Sequence, residues 1–403
     1  MASNRQSFLK YLAPTSDSPM LLEIESAKGV FMYAPDGKDY LDLISGVSVS
    51  YLGHSDPRII QSIKEQADKH LHLMVYGEFI QSPQVAYARL LAKNLPDSLQ
   101  NIYFVNSGAE AIEGAMKLAK RFTGRPEIAA FRNAYHGSTQ GALSILGGEY
   151  FKSEFRPLLP GISFLQYNNF DDIALITSKT ACIIVEVLQA EAGVIRGDEG
   201  FLEALRKRCD QTGCLLVFDE IQTGFGRIGE VFGFQLQGVV PDILVLAKSL
   251  GGGMPLGAFI SSHEIMNELS HDPSLGHITT FGGHPISCAA GAKAFSILLE
   301  EKLFEQAVEK EKIFRKYLKH PKILEIRGRG LLLAVEFGSA EFMHSVVKTA
   351  VENGLVTDWF LFCDTAIRIS PALNITENEI ELACSRLMKA IEQVLKHYSE
   401  YLL

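Results

Sequence analysis

The 403-residue chain has little of several things that would settle its class at once. Six cysteines are too few for a disulfide-dense secreted scaffold. The closest pair, Cys209 and Cys214, flanks a predicted helix-to-strand turn, and no matching pair follows at zinc-site spacing. Core thiols in a reducing compartment are expected, and no metal. No stretch approaches the roughly twenty apolar residues of a membrane helix, and the opening MASNRQSFLKYLAP lacks the apolar run of a secretory leader, so a cytoplasmic location is expected. The net charge of −9, from 38 basic and 47 acidic residues, contains no long block of one sign. That disfavours the broad basic face by which a general nucleic-acid binder displaces counterions, and leaves room for a local cationic pocket. No GxxxxGK[ST] occurs, so the phosphate loop of nucleotide hydrolases is absent. Internal repeats and low-complexity linkers are missing as well.

What is present is ordinary globular material, 47% apolar and 21% charged, in a chain too long for one compact core. Short apolar runs alternate with amphipathic stretches, which predicts an α/β protein with a largely parallel sheet. Residues Gly29 to Ser45 predict a hairpin around Pro35-Asp36-Gly37. A helix is predicted from Asp56-Pro57 to about His70, with the proline in its first turn. From Asn101 to about Ile286 the pattern repeats strand, tight turn, helix. IYFV leads to Asn106, IAAF to Arg132, CLLVF to Asp219 and ILVLA to Lys248, with CIIVEV between. Beyond a boundary near residue 290, Arg327-Gly328-Arg329-Gly330 and the strand LLLAVEF open a second α+β unit that ends in a helix.

In open α/β sheets ligands bind at the carboxyl ends of the strands, and three chemically unusual stretches fall there. In Asn106-Ser107-Gly108-Ala109-Glu110 a small turn opens a helix, exposing unpaired N–H groups at the positive end of its dipole. That is a place for a phosphate, although Ser-Gly before a helix serves equally as a plain cap. In Phe218-Asp219-Glu220, a buried strand runs straight into carboxylates, a costly arrangement unless a cation faces them. A pyridinium nitrogen would serve; a metal ion or a helix cap are the rival readings. Lys248 ends an apolar strand just before Gly251-Gly252-Gly253. Burial there favours the free amine that imine chemistry needs, against the plainer reading of a surface lysine on a loop.

Taken in order, these stretches resemble the class III aminotransferases of the fold-type I pyridoxal-phosphate enzymes, nearest the acetylornithine, ornithine and 4-aminobutyrate branches. The anchors run from about Leu22 to Pro371: YLDLISGVSVSYLGHSDP, FVNSGAEAIEGAMKLAK, AYHGST, VEVLQAEAGV, VFDEIQTGFGR, LAKSLGGGMPLGA, ITTFGGHP, IRGRG and IRISPAL. The resemblance implies a large domain with a mostly parallel sheet and a smaller α+β domain built from both termini. The divisions are an N-terminal arm and part of the small domain over 1–50, a large cofactor-binding domain over 51–290, and the C-terminal small domain over 291–403. It implies pyridoxal 5'-phosphate as cofactor, covalently held by Lys248, which then shuttles the proton. Asp219 would hold the pyridinium nitrogen, Gln222 the phenolic oxygen, and Ser107, Gly108 and Ala109 the phosphate. Tyr135, followed by His136, and Ile221 would cover the two ring faces, with Glu186 behind. Thr280 would reach the phosphate of a partner subunit in a homodimer. Arg368 would clamp a substrate carboxylate, and Glu191 would pair with it until a 2-oxo acid arrives.

Three departures from the resemblance stand out. Relatives commonly carry arginine where this chain has Ser138, so a carboxylate-binding group is expected to be missing unless Arg132 or His284 replaces it. Val187, Ala190 and Ala192 stand where proline and glycines are usual. His284 replaces an asparagine, either as a substrate contact or as a satisfied polar core residue. His70 and His72 are expected on different sides of a helix, Lys310 to Lys319 on a solvated helix face, and Arg327 and Arg329 in structural roles. Two functions remain open from sequence. One is an aminotransferase using an ω-amine donor and 2-oxoglutarate; the other is an aminomutase or racemase on the same scaffold.

Overall fold

The computed structural model describes residues 3–400, with side chains through residue 397. A seven-stranded sheet dominates, in the order Asn101–Val105, Gly257–Ser261, Ile243–Leu246, Leu215–Asp219, Thr180–Glu186, Glu127–Phe131, Ile162–Leu165. Gly257–Ser261 runs antiparallel to both its neighbours, and the other pairings are parallel. Parallel strands of this kind are covered on both faces and so read as unbroken apolar runs. Every residue of Thr180–Glu186 is buried.

Alternation along the strands divides the core between two sides. Ile183, Val185, Leu216, Phe218 and Leu244 pack with Phe201, Leu202 and Leu205 of the Phe201–Thr212 helix. Cys182, Ile184, Val217, Ile243 and Val245 pack with Ile112, Ala115 and Leu118 of the Gly108–Thr123 helix. At about 1.5–3 kcal/mol for each large side chain removed from water, these two layers dominate the stabilisation. Cys182, Cys209, Cys214, Cys288 and Cys384 are buried free thiols, and Cys363 is partly buried.

The smaller unit draws on both ends of the chain. Ser26–Lys28, Phe31–Tyr33 and Asp39–Asp42 form an antiparallel meander, and Asp39–Asp42 then pairs in parallel with Leu355–Val356. Alongside lies an antiparallel sheet of Glu325–Arg329, Leu332–Glu336, Cys363–Ile369 and Trp359–Phe360, packed against the Ala340–Glu352 helix, which in turn packs on the Glu377–Glu400 helix. Among the described residues no helix is long and apolar enough to cross a membrane.

Two expectations need correction. The Pro57–Lys69 helix, capped by Asp56, stops with His70 in extended backbone, so His72 lies beyond it, stacked on His284 with ring centroids 5.6 Å apart. Lys310 is no solvated side chain. Its ammonium donates to the Leu373 carbonyl, and burial brings its pKa down to about 8. Arg327 and Arg329 are structural, donating to the carbonyls of Gly193 and Ile228.

Candidate active site

The strand ends converge on a cavity of about 470 Å³, lined among others by Ser107, Gly108, Ala109, Tyr135, His136, Ser138, Glu186, Asp219, Ile221, Gln222 and Lys248. The first turn of the Gly108–Thr123 helix forms one wall. Ser107 caps it, accepting at Oγ from the Glu110 amide at 3.2 Å. The amides of Gly108 and Ala109 belong to the first turn, where a helix supplies no internal acceptors. Gly257 is required behind this turn, because a Cβ there would lie 2.2 Å from the Ser107 carbonyl oxygen.

Asp219 ends its strand buried, in register with Glu186 on the neighbouring strand. One Asp219 oxygen accepts from the Ile221 amide at 3.0 Å, and the other meets His136 Nδ1 at 2.7 Å. Burial opposes a charge on His136, but the Asp219 bond together with the charges of Asp219 and Glu186 outweighs it and raises the imidazole pKa. Glu186 accepts from the Tyr135 and Ala190 amides, and burial pushes its carboxyl up to about 8. Glu220, next to Asp219, points elsewhere. It accepts from the amides of Gly233 and Phe234, and so ties down the loop that follows.

Lys248 follows directly on the Ile243–Leu246 strand and Ala247, with φ at 50°, in the left-handed region that a lysine seldom occupies. Its ammonium has no hydrogen-bond or ion-pair partner among the described residues. Burial lowers its pKa to about 8, against the pull of Glu191 and Asp219. A half-buried, unpaired lysine whose pKa is lowered to about 8 gives up its proton more readily than an ordinary lysine, which suits a nucleophile.

Arg368 lies close by on Cys363–Ile369, buried, its fork closed on Glu191 at 2.8 and 3.1 Å. Gln222 connects this pair to the cavity, donating to Glu191 at 2.9 Å and accepting from Arg368 at 3.2 Å. Burial penalises the Glu191 charge, but Arg368 prevails and keeps the carboxyl below its ordinary range.

Residues 12–391 of the chain match the aminotransferase class-III family. The protein belongs to this family. It is 39% identical over 369 residues to the acetylornithine aminotransferase of Methanopyrus kandleri, covering 90% of this chain and 92% of that one. It is 36% identical over 415 residues to the succinylornithine transaminase of Yersinia pseudotuberculosis, covering 97% of each. The ornithine aminotransferase of Toxoplasma gondii, whose active site holds PLP at partial occupancy, superposes with a TM-score of 0.89 at 30% identity, covering 97% of this chain and 94% of that one.

Pyridoxal phosphate is the cofactor of class-III aminotransferases, and the residues present fit it. The amides at the helix start suit a phosphate, the aromatic ring of Tyr135 and the apolar Ile221 both line the cavity, and a buried carboxylate waits at Asp219. Ile221 closes tightly over the turn: a Cβ on Gly108 would come 2.7 Å from its Cδ1. His136 Nε2 is buried without a partner among the described residues, a polar atom that the filled site has room to satisfy.

Other expected residues lie apart. Thr280 is exposed and outside this cavity, although Thr279 beside it accepts from Asn106 Nδ2 at 2.9 Å. Ser138 lines the cavity, its hydroxyl 3.2 Å from the Tyr135 phenol. Neither Arg132 nor His284 is part of the lining, so neither stands in for the absent arginine in this wall. His284 caps a helix and stacks on His72, which makes it neither a contact in this cavity nor a fully buried residue. Sequence reasoning missed Asp358, which pairs with Arg368 Nε at 3.0 Å. The available signal was an acid just before the short strand that folds back on Arg368.

Proposed function

We propose that this aminotransferase takes the terminal amino group of an amino-acid donor, of the ornithine, acetylornithine or 4-aminobutyrate kind, and delivers it to 2-oxoglutarate. The observation that carries this reading is the closed pair of Glu191 and Arg368, linked through Gln222 to the cavity of Lys248. A guanidinium neutralised by a neighbouring carboxylate leaves an aliphatic donor unhindered. The same guanidinium grips a 2-oxo acid once Glu191 has moved away. An isomerase that never exchanges with a free oxo acid has no use for a clamp with two settings. The names of the relatives support an ω-amine donor.

When bound, pyridoxal phosphate supplies an aldehyde that condenses with amines and a protonated ring that draws electrons from the bond being broken. The chain supplies the rest. Ser107, Gly108 and Ala109 would hold the phosphate, Tyr135 and Ile221 would cover the ring, and Gln222 would meet the phenolic oxygen. Asp219, fixed by His136 with Glu186 behind, would keep a proton on the ring nitrogen. Lys248 would hold the aldehyde and, once a donor amine took its place, its free Nζ would take a proton from the donor carbon and return it two atoms along, beyond the nitrogen, as a 1,3-shift requires. Val49, Leu188, Met254 and Leu256 make the walls apolar, which excludes water and suits a methylene chain.

The active form is a homodimer in which Thr280 reaches the partner's phosphate; its exposure outside this chain's own cavity supports that placement. Residues 51–290 form the large domain that carries the cofactor, and Arg368 comes from the 291–403 unit, so the clamp joins the two. The deciding experiment follows the purified holoenzyme by absorbance with ornithine, acetylornithine and 4-aminobutyrate, then with 2-oxoglutarate and pyruvate. Donor and 2-oxoglutarate should each complete one half-reaction. Isomerisation of a donor without exchange into any oxo acid would overturn the assignment.

A further inference from the structure

Arg368 is held by more than its switchable partner. Asp358 meets Nε at 3.0 Å, the Trp359 carbonyl accepts from Nη2 at 3.1 Å, and the Arg368 amide donates to the Asp358 carbonyl at 2.8 Å. The same turn also grips Glu191. The Leu361 amide donates to Glu191 Oε2 at 3.1 Å and the Phe362 amide to its carbonyl at 3.0 Å. A five-residue turn from Asp358 to Phe362 therefore touches both members of the clamp, Arg368 by side chain and backbone and Glu191 by backbone alone.

We propose that Asp358 is a positioning and specificity-determining residue: it stays on Arg368 when Glu191 leaves, keeping the guanidinium aimed while cancelling part of its charge. The inference rests on the reading of Arg368 as the carboxylate seat. With Glu191 gone, an arginine alone would offer a full positive charge to the incoming carboxylate. With Asp358 still bonded to Nε, the seat is close to neutral, and the outer edge of the fork remains the only free hydrogen-bonding face. Such a seat selects carboxylates by geometry and holds them loosely enough to turn over.

The charge on Asp358 depends on pH. Burial raises its carboxyl to about 6, with Glu191 and Asp42 adding to the rise and Arg368 opposing it. Asp42 is itself paired with His54 at 2.9 Å. With Glu191 in place Asp358 is ionised above about 6; ionised it weakens the seat, and protonated it leaves Arg368 its full charge. Dicarboxylate affinity should accordingly rise as pH falls from 8 to 5.5.

The test uses the pyridoxal-phosphate holoenzyme and glutarate, a dicarboxylate without a keto group, with the dissociation constant measured by calorimetry at pH 5.5, 6.5 and 8. In wild type, glutarate should bind several-fold more tightly at pH 5.5 than at pH 8. Asp358→Asn keeps an acceptor for Nε and removes the charge; it should bind about tenfold more tightly than wild type at pH 8 and lose most of the pH dependence. Asp358→Ala also removes the acceptor, and should regain less affinity than the asparagine variant. His54→Gln should leave the pH dependence in place. An asparagine variant with wild-type affinity and wild-type pH dependence would overturn the proposal for Asp358 alone. If Arg368→Lys binds glutarate as well as wild type does, the carboxylate seat itself fails and this inference with it.

Discussion

Asp219 Oδ2 and His136 Nδ1 lie 2.7 Å apart with both side chains buried, so the carboxylate at the strand end is itself held in place by an imidazole. The bond engages one Asp219 oxygen while the other accepts from the Ile221 amide, so both orient the carboxylate. It also gives the pair a shared charge state, since losing either partner strands the other in a dry site.

Asp219→Asn should therefore keep the fold and lose roughly 10²–10³-fold in the rate of each half-reaction, the scale of removing one preorganised charge. Single-turnover absorbance with saturating donor measures it. A loss under about threefold would mean that Asp219 does not serve the ring nitrogen.

Lys248 should be the residue on which borohydride fixes a pyridoxyl group, read by peptide mass spectrometry. In cofactor-free protein its amine titrates near 8, lowered by burial. The deprotonated form is the nucleophile, so the rate of cofactor attachment should climb with pH, roughly ninefold from pH 6 to 7, and level off above about 8. A flat profile would remove the free amine from the rate-limiting step. Lys248→Ala should lose at least about 10²–10⁴-fold in turnover.

Ser138 leaves the wall without a guanidinium for a donor's remote carboxylate. Ser138→Arg should raise kcat/KM for 4-aminobutyrate and acetylornithine by about one to two decades, the worth of a charge-assisted pair at about 1.5–3 kcal/mol. The 2-oxoglutarate half-reaction, assigned to Arg368 in the proposed clamp, should hardly change. Fast wild-type turnover of 4-aminobutyrate with no gain in the variant would show that the position does not set donor choice.

Thr280 offers a test by complementation. If it serves the neighbouring subunit, mixing Lys248→Ala with Thr280→Ala subunits gives hybrid dimers in which one site is wholly wild type. Activity should reappear on mixing and subunit exchange. No recovery, with hybrid formation verified by native mass spectrometry, would confine Thr280 to its own subunit.

The site was legible in sequence wherever a strand announced its own end. IYFV, CLLVF and ILVLA break from apolar to polar at one residue, and Asn101–Val105, Leu215–Asp219 and Ile243–Leu246 end within two residues of Asn106, Asp219 and Lys248. The resemblance also assembled Arg368 with Glu191, 177 positions apart. What stayed hidden depended on tertiary context. Asp358 has no periodic pattern around it, because the strand beside it is only Trp359–Phe360. Lys310 sits in a basic helix like any solvated lysine until the Leu373 carbonyl comes up against it. His72 was misread because helical spacing was applied to a residue that lies past the end of the Pro57–Lys69 helix.

The sheet order also sets a timetable for synthesis. Asn101–Val105, the first strand of the large sheet to be made, lies at its edge and pairs only with Gly257–Ser261, the last. At about 5–20 residues per second, the ribosome needs on the order of ten seconds or more to deliver that partner. Until then the helix start at Ser107 has no sheet to stand on, since the Gly257 backbone that backs its carbonyl does not yet exist outside the tunnel. The helix start at Ser107, the proposed phosphate seat, must therefore be completed late, after Glu186, Asp219 and Lys248 have emerged, and a nascent chain stalled short of residue 257 should be unable to retain pyridoxal phosphate.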